Sequence, residues 1–387
     1  MTSRRAKTGA IEIVPVSGKK GIARFMAVAP PLHKGDKAYV APLPMVQGPS
    51  LTPGHNPFFE NADVQLFVAT RDGKDVGRIS AQVDHLERRL RPDAPGHFGF
   101  LAAVDDAEVI GKLLGTAESW LRARGLDRIQ GPFNLNTNEE TGLLVDGFDT
   151  PPMFLMGHDR AYLGPHLQAL GYAPVKDMIA YAYDIQVELP DSVRSLLRRG
   201  LPPNVTLRPL NKKNFDAEIR AITDIFNDAW LNNWGFVPFT EADTEYMARE
   251  FKLILHEKLV WFAEIDQVPV AFVACLPNLN EAIRDLNGKL FPFGWAKLLW
   301  RLYVSGVKTG RVPLMGVRRQ YANNIVGAML PFVIIDAVRR EAMRRGMKMI
   351  ELSWILEDNR PMRRIIESIG GRPYKTYRVY EKALDPT

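Results

Sequence analysis

Alternating apolar and polar segments near the C-terminus predict alternating strands and helices. Apolar runs of strand length flank a long segment with helical periodicity, and a shorter helical segment and an alternating run follow. In chain order, the segments are the apolar run 312–317, the polar turn 318–324, the helical segment 325–345, the apolar run 349–356, the short helix 361–369 and the alternating run 374–380. The pattern therefore predicts a strand–helix–strand–helix–strand unit.

The first half of the chain repeats this order of elements. A hairpin pattern begins at Leu66 and recurs at Val260, and the long helical segments end at Gly125 and Gly346. The sequence thus predicts an α/β fold of two tandem modules, each a mixed, mostly antiparallel twisted sheet flanked by helices. The predicted parts are an N-terminal module (1–188), a linker (189–205) and a C-terminal module (206–387) with an aromatic insert (277–308).

The C-terminal unit resembles the acyl-CoA binding half of the GNAT acyltransferases. Val317, Tyr321, Gly327 and Asn359 stand in places that match the family's motif, although Ala322, Asn323 and Ile325 replace its Arg and two of its glycines. The resemblance implies a GNAT fold and acyl-CoA as co-substrate. The implied acyl-CoA binding residues are Val317, Arg318, Arg319, Tyr321, Asn323, Asn324, Val326, Gly327 and Asn359.

The turn before the second long helix has to present backbone N–H groups to a pyrophosphate. Asn tolerates left-handed backbone angles, so a turn through Asn323 and Asn324 can still do this. In the first module, Asp105, Asp106 and Glu108 open the corresponding helix, and these carboxylates repel phosphate. Acyl-CoA is therefore expected in the second module only.

A loop rich in Asn and Glu follows the strand that ends near residue 133. Ligands in α/β proteins bind where strands end, so Asn136, Asn138 and Glu140 are candidates to hold an amine or hydroxyl groups. Glu139 and His158 are candidates to take a proton. The alternative is that these side chains only tie down a long loop by bonding to its backbone.

Aromatic residues mark two segments of the second module. Trp230, Trp234 and Phe236 suit the wall of an apolar substrate pocket, although core packing explains them nearly as well. The insert 277–308 carries Phe293, Trp295 and other large apolar residues with basic residues at its edges. This composition favours a helix at a membrane interface or a lid over an alkyl chain, with a helix packed on the sheet as the alternative.

Composition narrows the class of protein. The 387 residues include one cysteine, so neither a disulfide framework nor a cysteine-ligated metal site is expected, and no metal is predicted. The net charge of +6 comes from 50 basic residues interleaved with 44 acids, which suits CoA phosphates or a lipid surface, and no nucleic acid is expected as partner. Without an apolar run of membrane-spanning length, a cytoplasmic location is predicted, with peripheral contact to the inner membrane.

Further motifs narrow the resemblance. Over nearly its whole length, the chain resembles the bacterial ceramide synthase-like GNAT proteins. The stretches that carry this resemblance are 233–238, 286–295, 353–359, 375–382 and the Gly-Pro-Phe-Asn sequence at 131–134. The resemblance implies transfer of a fatty acyl group from acyl-CoA to the amine of a long-chain sphingoid base.

Such a transfer needs a base for the ammonium, a donor to the thioester oxygen and, optionally, an acid for the thiolate. Glu351 is a further candidate base, beside Glu139, Glu140 and His158, with a solvated strand residue as the alternative for Glu351. Ile366 stands where GNAT enzymes often place a Tyr that acts as the acid, so either the thiolate leaves without an acid or another tyrosine such as Tyr377 serves. Two other classes stay open: a different acyl-CoA or aminoacyl-tRNA dependent transferase, and a non-catalytic lipid-binding protein.

Overall fold

The computed structural model describes residues 9–322 and 324–385. Helices and strands alternate along both halves of the chain. The strands are β1 (Ile11–Val16), β2 (Ala62–Arg71), β3 (Lys74–Asp84), β4 (Gly96–Ala103), β5 (Arg128–Gly131), β6 (Phe133–Asn134), β7 (Glu140–Thr141), β8 (Leu143–Asp146), β9 (Ala173–Asp184), β10 (Val205–Pro209), β11 (Val260–Ile265), β12 (Val268–Pro277), β13 (Thr309–Val317), β14 (Met349–Leu356) and β15 (Arg372–Ala383).

The helices vary from single turns to a helix of 20 residues. They are α1 (Gly18–Ala27), α2 (Ala29–Leu32), α3 (Pro44–Ser50), α4 (His85–Leu90), α5 (Ala107–Arg122), α6 (Leu163–Ala169), α7 (Asp191–Arg198), α8 (Phe215–Trp230), α9 (Glu241–Phe251), α10 (Leu279–Ile283), α11 (Gly294–Trp300), α12 (Arg319–Ala322), α13 (Ile325–Arg344) and α14 (Arg360–Ser368). Short 3₁₀ turns lie at Pro57–Glu60, Lys212–Asn214 and Glu257–Leu259, and a π turn spans Arg301–Ser305.

One sheet joins the two halves. Within the described residues it has thirteen strands in the order β1-β2-β3-β4-β5-β15-β9-β14-β13-β12-β11-β10, with β8 paired to β15. The last strand of the chain, β15, pairs with β5 of the first half, and β9 of the first half pairs with β14. Each half therefore receives the final strand of the other, in a mixed sheet with mostly antiparallel pairs.

The segment 189–205 contains α7 rather than an extended linker. Leu189 and Val193 are buried in the apolar core of the second half, against α13. The predicted boundary thus falls between β9 and β10, in a segment that is itself packed.

Two pairs of neighbouring parallel strands diverge part of the way along their length. β13 pairs with β14 only from Thr309 to Val312, after which β13 continues beside β12 and β14 beside β9. In the first half, β4 pairs with β5 only at Gly96 and His97. Each divergence opens a wedge in the sheet, and the long helix α13 or α5 begins near it.

Candidate active site

A large cavity lies between the two halves of the chain. Its volume is about 1020 Å³, at the upper end of the usual range for small-molecule sites. Residues from both divergent strand pairs line it, including Leu101 and Ala102 of β4, Pro313 and Leu314 of β13, and Trp354 of β14. Of the residues singled out in the sequence, those that line the cavity are Asn136, Asn138, Glu139, Glu140, His158, Trp230, Trp234 and Phe236.

The loop 132–142 fills the wedge of the first half and is anchored to β3 and β4. The buried Gln82 amide donates to the carbonyl oxygens of Phe133 and Leu135, at 2.7 and 3.0 Å. At Gly99 a Cβ atom would lie 1.8 Å from the Phe133 carbonyl oxygen, so only glycine permits this approach.

Three neighbouring side chains of this loop form hydrogen bonds with the backbone. Asn136 Oδ1 accepts from the Asn138 N–H at 2.9 Å, and the Asn138 amide donates to the Val237 carbonyl oxygen at 3.0 Å. Thr137 donates to the Gly235 carbonyl oxygen at 3.1 Å. These bonds join the loop to the second half, and the substrate-binding roles of Asn136 and Asn138 stay predictions.

Among the described residues of the first half, the carboxyl groups of Glu139, Glu140 and Asp159 face the cavity. Burial raises the pKa of Glu139 and that of Asp159 to about 7, and it also raises the pKa of Glu140. Asn134 donates to Glu140 at 3.0 Å, and the positive charges of Arg311 and Arg78 oppose the rise in the Glu140 pKa. Carboxyl groups whose pKa lies near neutrality are suited to proton transfer.

Arg311 lies between this loop and the strands of the second half. Its buried guanidinium donates through Nε to Ser353 Oγ at 2.8 Å and through Nη1 to the carbonyl oxygens of Phe154 and Leu155 at 3.2 Å. Nε also lies 3.5 Å from Oε1 of Glu351. Arg311 thus fixes one wall of the cavity.

Glu351 and Tyr377 lie behind the cavity wall. Glu351 is fully buried and accepts hydrogen bonds from Ser353 and Tyr374, in addition to its ion pair with Arg311. Tyr377 donates to the Gly157 carbonyl oxygen at 3.3 Å, and burial raises its pKa well above the usual value. The catalytic roles considered for these two residues stay predictions.

His158 lies in the cavity wall beside a second histidine. Its Nε2 is 3.0 Å from Oδ2 of Asp36, and His33 Nδ1 is 3.5 Å from the same oxygen. The His33 ring stacks on Tyr39 with 3.9 Å between ring centroids. Burial lowers the pKa of His33 to about 4 and lowers that of His158, so both imidazoles are neutral at neutral pH.

The predicted aromatic residues form an apolar part of the wall. Trp230 stacks on Phe226 at 4.8 Å and donates from Nε1 to the Met315 carbonyl oxygen at 3.1 Å. Trp234 stacks on Phe133 of the first half at 6.4 Å. Phe236 is buried in the core of the second half and reaches the cavity as well.

The insert has one face toward the cavity and one toward solvent. Leu298, Leu299, Leu302 and Tyr303, on α11 and the π turn, line the cavity. Other large side chains point outward instead. The exposed ones are Phe291, Phe293, Trp295, Trp300 and Val304. Phe293 and Trp295 are therefore part of an exposed aromatic surface, outside the cavity wall.

The predicted acyl-CoA turn lies outside the cavity, at the start of α13. Asn324 Oδ1 accepts from the Gly327 N–H at 2.7 Å and so caps this helix. A Cβ at Gly327 would lie 1.8 Å from the Tyr321 carbonyl oxygen, which explains the glycine. Val317, Tyr321 and Val326 pack against the apolar core of the second half, and Asn359 caps α14 by accepting from the Met362 N–H at 3.2 Å. Asn323 lies outside the described residues.

Two arginines of this turn are paired with helix α8. Arg318 Nη2 is 2.5 Å from Asp224 Oδ2, and Arg319 Nε is 3.3 Å from Asp228 Oδ1. The Arg319 N–H also donates to Asp228 at 2.7 Å. These pairs hold the turn on α8 and partly neutralise the positive charge predicted to face the phosphates.

Several cavity residues were not identified from the sequence. Arg311 is a charged residue inside an otherwise largely apolar strand, which is a usable signal for a buried functional group. Arg78 lies in a strand with several other polar residues, so the pattern does not single it out. Asp159 adjoins His158 but was overlooked. His33 and Tyr39 come from the N-terminal region, and their place near residue 158 depends on tertiary contacts that a single sequence does not reveal.

The chain matches no family model. It is 51% identical over 379 residues to the bacterial ceramide synthase of Caulobacter vibrioides, covering 97% of this chain and 98% of that one. It is 42% identical over 367 residues to Protein YghO of Escherichia coli, covering 95% and 94% of the two chains.

Solved structures show the same fold at low sequence identity. A tandem GNAT protein from the clavulanic acid biosynthesis pathway matches with a TM-score of 0.58 and 13% identity, over 98% of this chain and all of that one. A GCN5-related N-acetyltransferase from Sphaerobacter thermophilus matches with a TM-score of 0.52 and 14% identity, over 97% and 96%. These matches confirm the predicted tandem GNAT fold. The chain belongs to the bacterial ceramide synthase family of acyltransferases.

Proposed function

We propose that this chain transfers a long-chain fatty acyl group from acyl-CoA to the amine of a sphingoid base. The observation that carries the proposal is the cavity, which joins the wedge between β13 and β14 to three carboxyl groups of the first half. Family membership supports the same activity, since the Caulobacter relative is named a ceramide synthase. The apolar wall suits alkyl chains, and the carboxyl groups suit an ammonium and hydroxyl groups.

Acyl-CoA would lie with its pyrophosphate at the N-terminus of α13, where the helix dipole and the backbone N–H groups favour an anion. Asn324 adds no negative charge to that helix end. The thioester would then enter the wedge beside Leu314 and Trp354, which leads its acyl chain into the cavity.

Glu140 is the side chain best placed to receive the proton of the ammonium. It faces the cavity, and Arg311, at the edge of the wedge between β13 and β14, lies near enough for its charge to affect the Glu140 pKa. Once the ammonium has lost this proton, the neutral nitrogen attacks the thioester carbon and the C–S bond breaks. The second nitrogen proton leaves with CoA, which departs as the thiol.

The test is an assay of the purified chain with palmitoyl-CoA and a long-chain sphingoid base, in which free CoA thiol and N-acylated product are both measured. We expect product with the long-chain pair and little with acetyl-CoA or a short amine. Glu140→Gln should reduce turnover by on the order of 100-fold while palmitoyl-CoA still binds. Turnover that is independent of both chain lengths would contradict the proposal.

We also propose that the insert binds the surface of a membrane. Within residues 9–322 and 324–385, no helix combines the length and apolar character needed to cross a bilayer. Phe291 and Phe293 are each 78% exposed, and Tyr303, which is 69% exposed, also lines the cavity. The outward face of the insert is thus continuous with the cavity wall, which would let a lipid substrate enter from the bilayer.

Sedimentation with phosphatidylglycerol vesicles tests this surface. Replacement of Phe293 and Trp300 by Ser should weaken binding by about tenfold or more, because two large apolar side chains no longer enter the interface. Val268→Ser is the matched control, since Val268 is 56% exposed on the hairpin between β11 and β12. Equal losses in both variants would argue against the insert as the membrane contact.

A further inference from the structure

Three side chains with metal-ligating atoms meet beside the cavity. His33 directly follows α2, Asp36 lies in the turn after it, and His158 comes from the loop before α6. One ligand atom from each residue lies within 4.8 Å of the other two. Side-chain exposure is 5% for His33, 16% for Asp36 and 2% for His158.

Two ring nitrogens of this cluster, His33 Nδ1 and His158 Nδ1, are buried without a hydrogen-bond partner among the described residues, and His33 Nδ1 is the one that faces Asp36. It points at the Asp36 carboxylate from 3.5 Å. A buried polar atom without a partner costs free energy, so a native structure usually supplies one. An ion between the imidazole and the carboxylate would supply it.

We propose that His33 Nδ1, the Asp36 carboxylate and His158 Nε2 bind one divalent transition-metal ion such as Zn²⁺. Ligands at about 2.05 Å in tetrahedral geometry lie about 3.3 Å apart. The separations of the two nitrogens from Asp36 Oδ2 are 3.0 and 3.5 Å. Two imidazoles and one carboxylate form a set that binds such ions and keeps a coordination position open.

Nearby positive charges limit the affinity of these three side chains for a metal ion. Arg160 Nη1 is 3.6 Å from Asp36 Oδ2, and the charge of Lys375 also reaches His158. Because the Arg160 side chain is 35% exposed, it can turn to solvent when an ion takes its place beside Asp36. Lys375 is buried and held by the carbonyl oxygens of Gly147 and Thr150, so its charge remains.

His33 and His158 both line the cavity, which places the open coordination position toward it. A water molecule would occupy this position in the absence of substrate. A hydroxyl or carbonyl oxygen of the lipid would replace the water, and this last step rests on the proposed function.

The experiment is a titration of the full chain, first freed of metal with a chelator, with Co²⁺ and then with Zn²⁺. We expect one equivalent of Co²⁺ to give the visible absorption of a tetrahedral site, and Zn²⁺ to displace it. His33→Ala and His158→Ala should each weaken binding by at least about 100-fold. The matched control is His166→Ala. His166 Nε2 also lies close to a carboxylate, at 2.9 Å from Asp105 Oδ1, but among the described residues this pair is not part of a group of three candidate ligands.

Two further variants keep the test informative if a histidine variant misfolds. Asp36→Asn conserves shape and should also weaken binding, whereas Arg160→Gln should strengthen it by removing the competing cation. Circular dichroism of every variant reports its folding. Absence of saturable Co²⁺ binding to the wild-type chain, or equal binding by the His33, His158 and His166 variants, would overturn the site. Because metal binding is measured without substrate, this result is separate from the outcome of the acyl-transfer assay.

Discussion

The two long helices α5 and α13 stand in corresponding places but begin differently. Asp106 caps α5 by accepting from the Glu108 N–H at 3.0 Å, and Arg71 pairs with Asp106 at 2.8 Å. Asn324, which is neutral, caps α13. The start of α5 thus carries the acids Asp106 and Glu108, whereas the first turn of α13 has no acid, so the α13 end is the better place for a phosphate.

The two wedges differ as well. The loop 132–142 fills the wedge between β4 and β5 and brings Glu139 and Glu140 to the cavity, whereas Leu314 and Trp354 line the wedge between β13 and β14. Under the proposed function, the duplicated fold divides one reaction, with the thioester in one half and the amine in the other. This division is the basis of the predictions below.

The largest expected effect concerns the carboxyl group of Glu139. Burial raises its folded-state pKa from 4.5 to about 7, so the folded chain keeps a proton that the unfolded chain releases. Stability therefore falls as pH rises from about 4.5 to 7, by up to about 3 kcal/mol. Glu139→Gln should remove this loss, so urea unfolding at pH 4.5 and pH 8 should show a smaller pH dependence than the wild type.

Glu245→Gln is the control for Glu139, because Glu245 is exposed on α9. Its unfolding curves should follow those of the wild type at both pH values. If Glu139→Gln also followed the wild type, Glu139 would not be held neutral in the cavity, and the proposed division of roles would lose part of its support.

The second prediction compares two glycines. A Cβ at Gly99 or at Gly327 would lie 1.8 Å from a backbone carbonyl oxygen, so an alanine at either position must displace the backbone at a cost of about 1–3 kcal/mol. Gly99→Ala should raise the KM for the amine, because it moves the loop that carries Glu140. Gly327→Ala should raise the KM for acyl-CoA. Steady-state kinetics in which each substrate is varied in turn will distinguish the two effects. The same pattern in both variants would mean that the two halves do not divide the substrates.

The third prediction reverses the charge difference between the helix ends. Asn324→Asp keeps a side-chain oxygen to accept from the Gly327 N–H but adds a negative charge, so palmitoyl-CoA should bind about tenfold more weakly. Asn324→Ser is the neutral control with a similar cap. Asp106→Asn in the first half should leave the Kd unchanged, as measured by titration calorimetry. Equal effects of Asn324→Asp and Asn324→Ser would show that charge at this turn is irrelevant.

The fold was more predictable than the site because apolar periodicity follows directly from burial. The hairpins predicted to begin at Leu66 and Val260 are β2–β3 and β11–β12, and the helix predicted at 325–345 is α13 within one residue at each end. The family and the tandem fold are also confirmed. The exchange of β9 and β15 was not predicted, since strand order depends on contacts between distant segments.

Site residues depended more strongly on tertiary contacts. Asp36 contacts His158 although they are 122 positions apart, and Arg311 contacts Phe154 across 157 positions. A single sequence does not reveal contacts between residues so far apart. The loop 132–142 could be predicted as a candidate site because its many polar residues are unusual directly after an apolar strand. Which of its side chains bond to backbone and which face the cavity could be decided only from the structure.

The smallest expected effect concerns the junction where the halves exchange strands. Arg378 of β15 and Asp177 of β9 form a bidentate ion pair at 2.7 Å, with side chains 28% and 23% exposed. Solvent screens such pairs, so the coupling energy in a double-mutant cycle of Arg378→Gln and Asp177→Asn should stay below about 1 kcal/mol. Burial of Tyr377 and Val379 and the backbone ladder between the strands should hold the junction instead. A coupling of several kcal/mol, with loss of acyl transfer, would mean that this pair sets how the two halves meet around the cavity.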